Sequence, residues 1–141
     1  MPASAAPASF TLAYACVLIA AMLPLVCAGI AKSGKFKTPP DQGGYDNQAP
    51  RAWLAHQDSW RARANAAQAN SFEGLPFFIG GVIIAHQLGA AQSWIDALAV
   101  AYILCRGVYI TSYVKNWAAL RSWVWALGLA CNIALLFAGR S

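Results

Sequence analysis

The most constraining feature of the sequence is an uninterrupted apolar stretch near its start. The stretch from Phe10 to Ala31 contains no charged residue, and Lys32 follows it directly. A helix rises about 1.5 Å per residue, so about 20 apolar residues cross the hydrocarbon core of a bilayer. Residues 1–9 lack the Lys and Arg of a secretory leader. The stretch therefore predicts a retained first membrane span.

The composition extends this prediction to the whole chain. Of 141 residues, 59% are hydrophobic and 11% are charged, whereas about 25% are charged in an ordinary soluble domain. The sequence predicts an all-α membrane protein, a bundle of four transmembrane helices in a single domain over residues 1–141. The predicted spans are about 10–31, 61–88, 94–115 and 117–139, with a cytoplasmic loop over about 32–60.

The distribution of basic residues predicts the orientation of these spans. Six of the ten Lys and Arg residues lie from Lys32 to Arg63, in the first loop and at the start of the second span, and none lies between the second and third spans. Because cytoplasmic loops carry the excess of Lys and Arg, both chain termini are expected on the non-cytoplasmic side. The net charge of +5 is thus attributed to membrane orientation, with lipids as partners and no nucleic acid.

One acidic residue stands out in the second span. Glu73 is the only glutamate in the chain, and it lies beside the apolar segment Leu75–Ala85. An ionisable group in such a segment is costly and by default marks a site or a specific ion pair. On a helix, Arg63, Asn70 and Glu73 lie along one face.

Depth in the membrane suggests a partner for this carboxylate. Counted from Lys115, Arg106 lies roughly 13 Å from the cytoplasmic boundary, and Glu73 lies about 15 Å from it when counted from Arg63. An unpaired charge at this depth costs several kcal/mol. We therefore expect Glu73 and Arg106 to form an ion pair.

Further polar residues share this region. Arg106, Tyr109 and Tyr113 lie on one helix face, and Arg121 and Ser122 begin the fourth span. Together with Asn70 and Glu73 they predict a cavity, cationic near its cytoplasmic mouth, that suits an anionic small molecule. The alternative from spacing alone is a structural ion pair, with the tyrosines packing and Arg121 reaching the headgroups.

The four cysteines carry no sign of metal binding. Cys16, Cys27, Cys105 and Cys131 all lie in apolar runs without CxxC or other metal-ligand spacing. They are interpreted as buried small hydrophobic residues, and no metal site is predicted.

The pattern R-A-x-x-A-x-x-N-x-x-E-x-x-P-x-F from Arg63 to Phe78 resembles the signature of the MAPEG family, the membrane-associated proteins in eicosanoid and glutathione metabolism, and is similar to its bacterial branch. The four-span layout and the pattern R-x-x-Y-x-x-x-Y from Arg106 to Tyr113 agree with it. The resemblance implies a homotrimer, in a bacterial inner membrane, that binds glutathione between subunits near the cytoplasmic face.

Family members conjugate glutathione to lipophilic electrophiles, reduce lipid hydroperoxides or isomerise eicosanoid intermediates. The resemblance therefore implies a glutathione transferase or peroxidase that takes a lipophilic small molecule as substrate and stabilises the thiolate with arginine. It assigns cofactor binding to Arg63, Asn70, Glu73, Arg106 and Tyr109. It assigns catalysis to Arg121, Ser122 and Tyr113.

The chain also departs from the family pattern. Relatives of the prostaglandin-forming branch have arginines that help hold the carboxylates of glutathione, and here Ala66 and Ala69 stand in their places. The spacing from Arg106 to Arg121 is one residue shorter. A non-catalytic membrane subunit or scaffold with the same fold is therefore the alternative function. A small transporter is a third, although the paired broken helices of inverted repeats are missing.

Overall fold

The computed structural model describes residues 8–139 and shows five helices joined by short connections and one longer loop. Their bounds are Leu12–Lys32 (α1), Pro50–Ala55 (α2), Ser59–Gln87 (α3), Gln92–Val114 (α4) and Ala118–Phe137 (α5). A short 3₁₀ turn, Pro40–Gln42, lies in the loop after α1. No strand occurs in the described residues, and the all-α prediction is confirmed.

The first long helix begins where side chains satisfy its free backbone N–H groups. Thr11 Oγ1 accepts a hydrogen bond from the Tyr14 N–H at 3.2 Å. The carboxylate of Asp96, at the start of α4, accepts the Ala13 N–H at 3.0 Å. A carboxylate at a helix N-terminus also favours the helix dipole. The contact therefore ties the beginning of α1 to the beginning of α4.

Two tight connections reverse the chain between the later helices. Gly89, the second residue after α3, has a φ of 69°, a left-handed conformation that glycine adopts without steric cost. The Ala90 N–H then donates to the Ala85 carbonyl at 3.1 Å. Asn116 has a φ of 60° between α4 and α5, and the next N–H, of Trp117, reaches the Ser112 carbonyl at 2.7 Å. These turns keep consecutive helices antiparallel and adjacent.

The amphipathic segment before the second span is interrupted. Its sequence pattern predicts one helix over Ala52–Gln68, whereas the structure has α2 ending at Ala55 and α3 beginning at Ser59. The His56 imidazole Nδ1 lies 2.6 Å from the Ala52 carbonyl oxygen. The side chain therefore competes for a helical acceptor at the end of α2.

The four long helices pack as a bundle in which α1 lies mainly against α3 and α5 mainly against α4. Its core contains Phe78 stacked on Tyr102, with ring centroids 4.2 Å apart and planes 18° apart. Val82 and Leu135 complete this layer and are fully buried. All four cysteines are buried and free, as predicted.

Within residues 8–139, three helices are long and apolar enough to cross a membrane, namely α1, α4 and α5. The first half of α3 is too polar for α3 to be counted with these three helices. The predicted membrane span over residues 61–88 therefore stays a prediction. Large apolar side chains are exposed along α1 and α5, for example Leu18, Leu25 and Trp123. Contiguous exposed apolar surface of this kind suits contact with lipid, and the chain is a membrane protein.

A close helix contact sets up a test of the bundle. A Cβ added at Gly81 would lie 3.3 Å from Leu135 Cβ, whereas one at the adjacent Gly80 would meet no atom within 4 Å. We expect Gly81→Ala to destabilise the protein by about 1–3 kcal/mol through overpacking, measured by thermal unfolding in detergent. Gly80→Ala is the matched control and should unfold at no lower temperature than the wild type. Equal effects of the two substitutions would contradict this α3–α5 contact.

Candidate functional site

The candidate site is built around a buried arginine at the middle of α4. Arg106 is only 5% exposed. Its Nη2 donates a hydrogen bond to Ser71 Oγ at 3.2 Å, and its guanidinium lies 4.3 Å from the centroid of the Tyr109 ring. Ser71 Oγ in turn donates to the Ala67 carbonyl at 2.8 Å. One hydroxyl and one ring face thus contact a cation that carries five N–H donors.

The predicted ion pair between Glu73 and Arg106 is wrong. No ion pair joins them in the described part of the chain, and Glu73 is exposed, with one oxygen 3.5 Å from Asn70 Nδ2. The reason is angular, since residues two apart on a helix point roughly 200° away from each other. Ser71 faces α4 and contacts Arg106, so Glu73 faces elsewhere. Glu73 and Arg106 were predicted at the same depth in the membrane, but side chains at the same depth need not point towards each other.

Glu73 and Arg106 nevertheless border the same cavity, here called the inner cavity, of about 200 Å³ between α3, α4 and α5. The residues that line the inner cavity are Asn70, Glu73, Gly74, Phe77, Tyr102, Arg106, Trp125, Gly128, Leu129 and Asn132. The cavity therefore holds an anion and a cation that do not neutralise each other directly.

A second, more open cavity, here called the outer cavity, has a volume of about 520 Å³. It is lined by Asn70, Tyr109, Arg121, Ser122, Trp125 and Ala126. Asn70 and Trp125 line both cavities, which are therefore adjacent. A ligand longer than either cavity can occupy both.

Alternating cations and rings connect the two cavities. The Arg106 guanidinium lies over Tyr109, the Tyr109 ring meets the Tyr113 ring edge-on at 5.7 Å, and the Arg121 guanidinium lies 4.3 Å from the Tyr113 centroid. A ring face attracts a cation through its quadrupole and leaves the N–H edges of the guanidinium free for hydrogen bonds. The tyrosines therefore hold both arginines without neutralising them.

The remaining predicted site residues have different positions. Ser122 is exposed and lines the outer cavity, and its Oγ donates to the Ala118 carbonyl at 3.2 Å. Arg63 lines neither cavity. Its Nε donates to the Val114 carbonyl at 3.0 Å, at the last residue of α4, where a cation favours the helix dipole.

The structure adds site residues that sequence reasoning did not select, chiefly Tyr102, Trp125 and Asn132. Tyr102 lies one turn before Arg106 on the same face of α4, so extending that face backwards identifies it. Asn132 was visible as a polar residue within an apolar span. Its relation to the cavity depends on the rotation of α5, which the sequence pattern does not determine.

Ala66 and Ala69, the positions that depart from the family pattern, lie in neither cavity of the site. They line a separate groove on the outside of α3 together with Arg51 and Phe72. Within residues 8–139, no group of three His, Cys, Asp or Glu side chains is arranged to hold a metal ion.

The helical membrane bundle agrees with the outcome of a family comparison. The model of the MAPEG family matches residues 12–140. The chain therefore belongs to the MAPEG family, which includes glutathione-dependent transferases and peroxidases. Comparisons with curated proteins and with solved structures gave no match.

The position of Arg63 predicts a structural role separate from ligand binding. Arg63→Met keeps the aliphatic stem but loses the bond to the end of α4, so we expect a loss of about 1–3 kcal/mol in stability. Thermal unfolding in detergent measures this loss. Glutathione affinity, measured by calorimetry on the same variant, should stay unchanged. A variant that unfolds like the wild type but loses the ligand would instead assign Arg63 to the site.

Proposed function

We propose that the protein is a glutathione-dependent membrane transferase or peroxidase acting on lipophilic electrophiles or lipid hydroperoxides. The observation that carries this proposal is the buried guanidinium of Arg106, which borders a cavity and has no carboxylate partner among residues 8–139. A buried charge without a counter-charge is unfavourable. An anionic ligand in the cavity supplies the missing charge.

Glutathione matches the charges along the two cavities. Its γ-glutamyl end carries a carboxylate and an ammonium group, which suit Arg106 and Glu73 in the inner cavity. Its thiol then lies towards the outer cavity, where Arg121 and Ser122 are found. Asn70 borders both cavities and is placed to contact the peptide between these two ends.

The reactive species is the thiolate, because a free thiol with an ordinary pKa near 8.5 is mostly protonated at neutral pH. The Arg121 guanidinium stabilises the sulfur anion without acting as a base, since arginine keeps its proton. The sulfur electron pair then forms a bond to the electrophilic carbon, and the leaving group departs with the electrons of the bond that breaks. With a hydroperoxide, two glutathione molecules reduce the O–O bond to an alcohol and water and become a disulfide.

The co-substrate approaches from the lipid. The exposed indole of Trp125 borders both cavities, and apolar side chains continue along the outer surface of α5. A lipophilic molecule dissolved in the bilayer reaches this surface without crossing water. Arg121 and the apolar surface of α5 thus bring a polar thiol and an apolar substrate together.

The exposed carboxylate of Glu73 supports self-association into the homotrimer that the family resemblance implies. On a helix within the membrane, a carboxylate facing lipid is costly, and such groups face the interior of an assembly or a wet cavity. A neighbouring copy covers Glu73 and closes the open side of the inner cavity. We propose the same orientation as above, with both termini on the non-cytoplasmic side of a bacterial inner membrane.

The first test removes the buried cation. Arg106→Met replaces an unpaired buried charge with an apolar side chain of similar length, a change that is often neutral or stabilising. We expect the unfolding temperature of the ligand-free variant in detergent to be no lower than that of the wild type. Glutathione affinity by calorimetry should fall about tenfold to a hundredfold.

Two results would contradict this assignment. If wild-type protein does not bind glutathione at millimolar concentration, the enzyme proposal fails and the alternative of a non-catalytic subunit or scaffold is favoured. If Arg106→Met binds glutathione as well as the wild type, the anion lies elsewhere. Arg51→Met, a change at an exposed arginine outside both cavities, is the matched control.

The second test addresses the thiolate. Arg121→Ala should lower the turnover number with 1-chloro-2,4-dinitrobenzene about a hundredfold to a thousandfold, because one preorganised charge donor is lost. The free energy of unfolding should change little, since Arg121 is only partly buried. The measurement is steady-state kinetics with thermal unfolding of the same preparation.

Tyr113 distinguishes two ways of supporting that charge. Tyr113→Phe keeps the ring under Arg121 and loses only the hydroxyl, whereas Tyr113→Leu loses the ring face. If the ring positions the guanidinium, as the 4.3 Å contact indicates, Phe retains turnover and Leu does not. If both variants are equally impaired, the hydroxyl itself donates to the thiolate.

A further inference from the structure

The inner cavity contains a second polar group with an unfulfilled interaction. Asn132, on α5, is only 4% exposed, and its side-chain oxygen Oδ1 is buried without a hydrogen-bond donor. A buried acceptor without a donor is unfavourable because it has lost water and gained nothing in exchange. Asn132 also lines the inner cavity, so a molecule in that cavity can supply the donor.

Packing alone does not require a polar side chain at position 132. One turn earlier on α5, a Cβ added at Gly128 would make ordinary van der Waals contact with Tyr102 and Cys105, 3.7 Å from each side chain. Leucine has nearly the same shape as asparagine and carries no polar atom. A position used only for packing would therefore be more stable with leucine.

The polar groups of the inner cavity are complementary to a zwitterion. Arg106 offers only donors, whereas Glu73 and the Oδ1 atom of Asn132 offer acceptors. A ligand end that satisfies both kinds of group carries an anion beside a multiple donor. An α-amino acid head has these two features, since its carboxylate accepts hydrogen bonds and its ammonium group donates three. A lipid hydroperoxide offers a single O–H and leaves Arg106 without a counter-charge.

We propose that Asn132 is a ligand-binding residue whose Oδ1 accepts a hydrogen bond from the free α-ammonium group of a γ-glutamyl thiol, so that the inner cavity selects thiols with an unmodified amino terminus. This inference rests on the proposed use of glutathione and adds to it a determinant of thiol specificity. Acylation of the amine removes its charge and two of its three donors. It also adds bulk in a cavity of about 200 Å³, so N-acylated thiols bind poorly.

The test compares glutathione with glutathione acetylated on its α-amine, each titrated by calorimetry into the full-length protein in detergent. Wild-type protein should bind glutathione at least about tenfold more tightly than the acetylated form. Asn132→Leu should weaken glutathione binding about tenfold or more and leave the affinity for the acetylated form unchanged. The preference for the free amine therefore falls, which a purely structural role of Asn132 would not produce.

Three controls accompany this comparison. Asn132→Asp keeps an acceptor at the same place and should retain the preference for the free amine. Cys131→Ala changes a buried neighbour that does not line the cavity and should leave the ratio of the two affinities unaltered. The unfolding temperature of ligand-free Asn132→Leu should be no lower than that of the wild type, since the substitution removes a buried acceptor without a donor.

The outcomes separate this inference from the proposed function. If the wild type binds glutathione but Asn132→Leu keeps the full preference for the free amine, the role of Asn132 is overturned and the enzyme proposal stands. Equal affinity of the wild type for both thiols would also overturn the role of Asn132 and leave the enzyme proposal standing. If the wild type binds neither thiol, the proposed function itself fails, and this inference fails with it.

Discussion

The structure depends on how a cation is accommodated inside an apolar bundle. Arg106 is nearly inaccessible, yet it contacts a hydroxyl and a ring face rather than a carboxylate. Such contacts stabilise a guanidinium less than an ion pair does and leave most of its donors unused. The bundle tolerates this deficit because the unused donors border a cavity. Stability given up at Arg106 is thus available as binding energy for an anion.

The same principle applies to the other polar groups of the site. Arg121 rests on the ring of Tyr113, and the Oδ1 atom of Asn132 has no donor. In contrast, no other fully buried side-chain nitrogen or oxygen atom among residues 8–139 lacks a hydrogen-bond partner. The guanidinium of Arg61 donates to the carbonyls of Ala31 and Ser33, both at 2.7 Å. Unfulfilled interactions are therefore concentrated where a ligand can complete them.

The sequence predicted the helical membrane architecture because long uncharged runs admit few other structures. It also selected Arg106 and Glu73, since charges near the middle of apolar spans are costly, and it selected Arg121 at the start of the fourth span. It did not predict how these side chains are directed. Depth follows from counting residues, but direction requires the rotation of each helix, and Ser71 rather than Glu73 faces Arg106. Asn132 was not assigned to the site for the same reason.

The shared border of the two cavities supports the proposal that one small chain uses two dissimilar substrates. The inner cavity is enclosed by three helices and presents opposite charges, which favour a zwitterionic end group. The outer cavity opens beside exposed indole and aliphatic surface of α5. In the proposed function, a thiol anchored by its far end in the inner cavity is held with its sulfur near Arg121, facing the lipid side. Anchoring remote from the reacting atom reduces the entropy lost when sulfur and electrophile meet. In the proposed function, the separation of the polar anchor from the apolar entrance is therefore what makes a reaction between a water-soluble tripeptide and a membrane-dissolved substrate feasible in this fold.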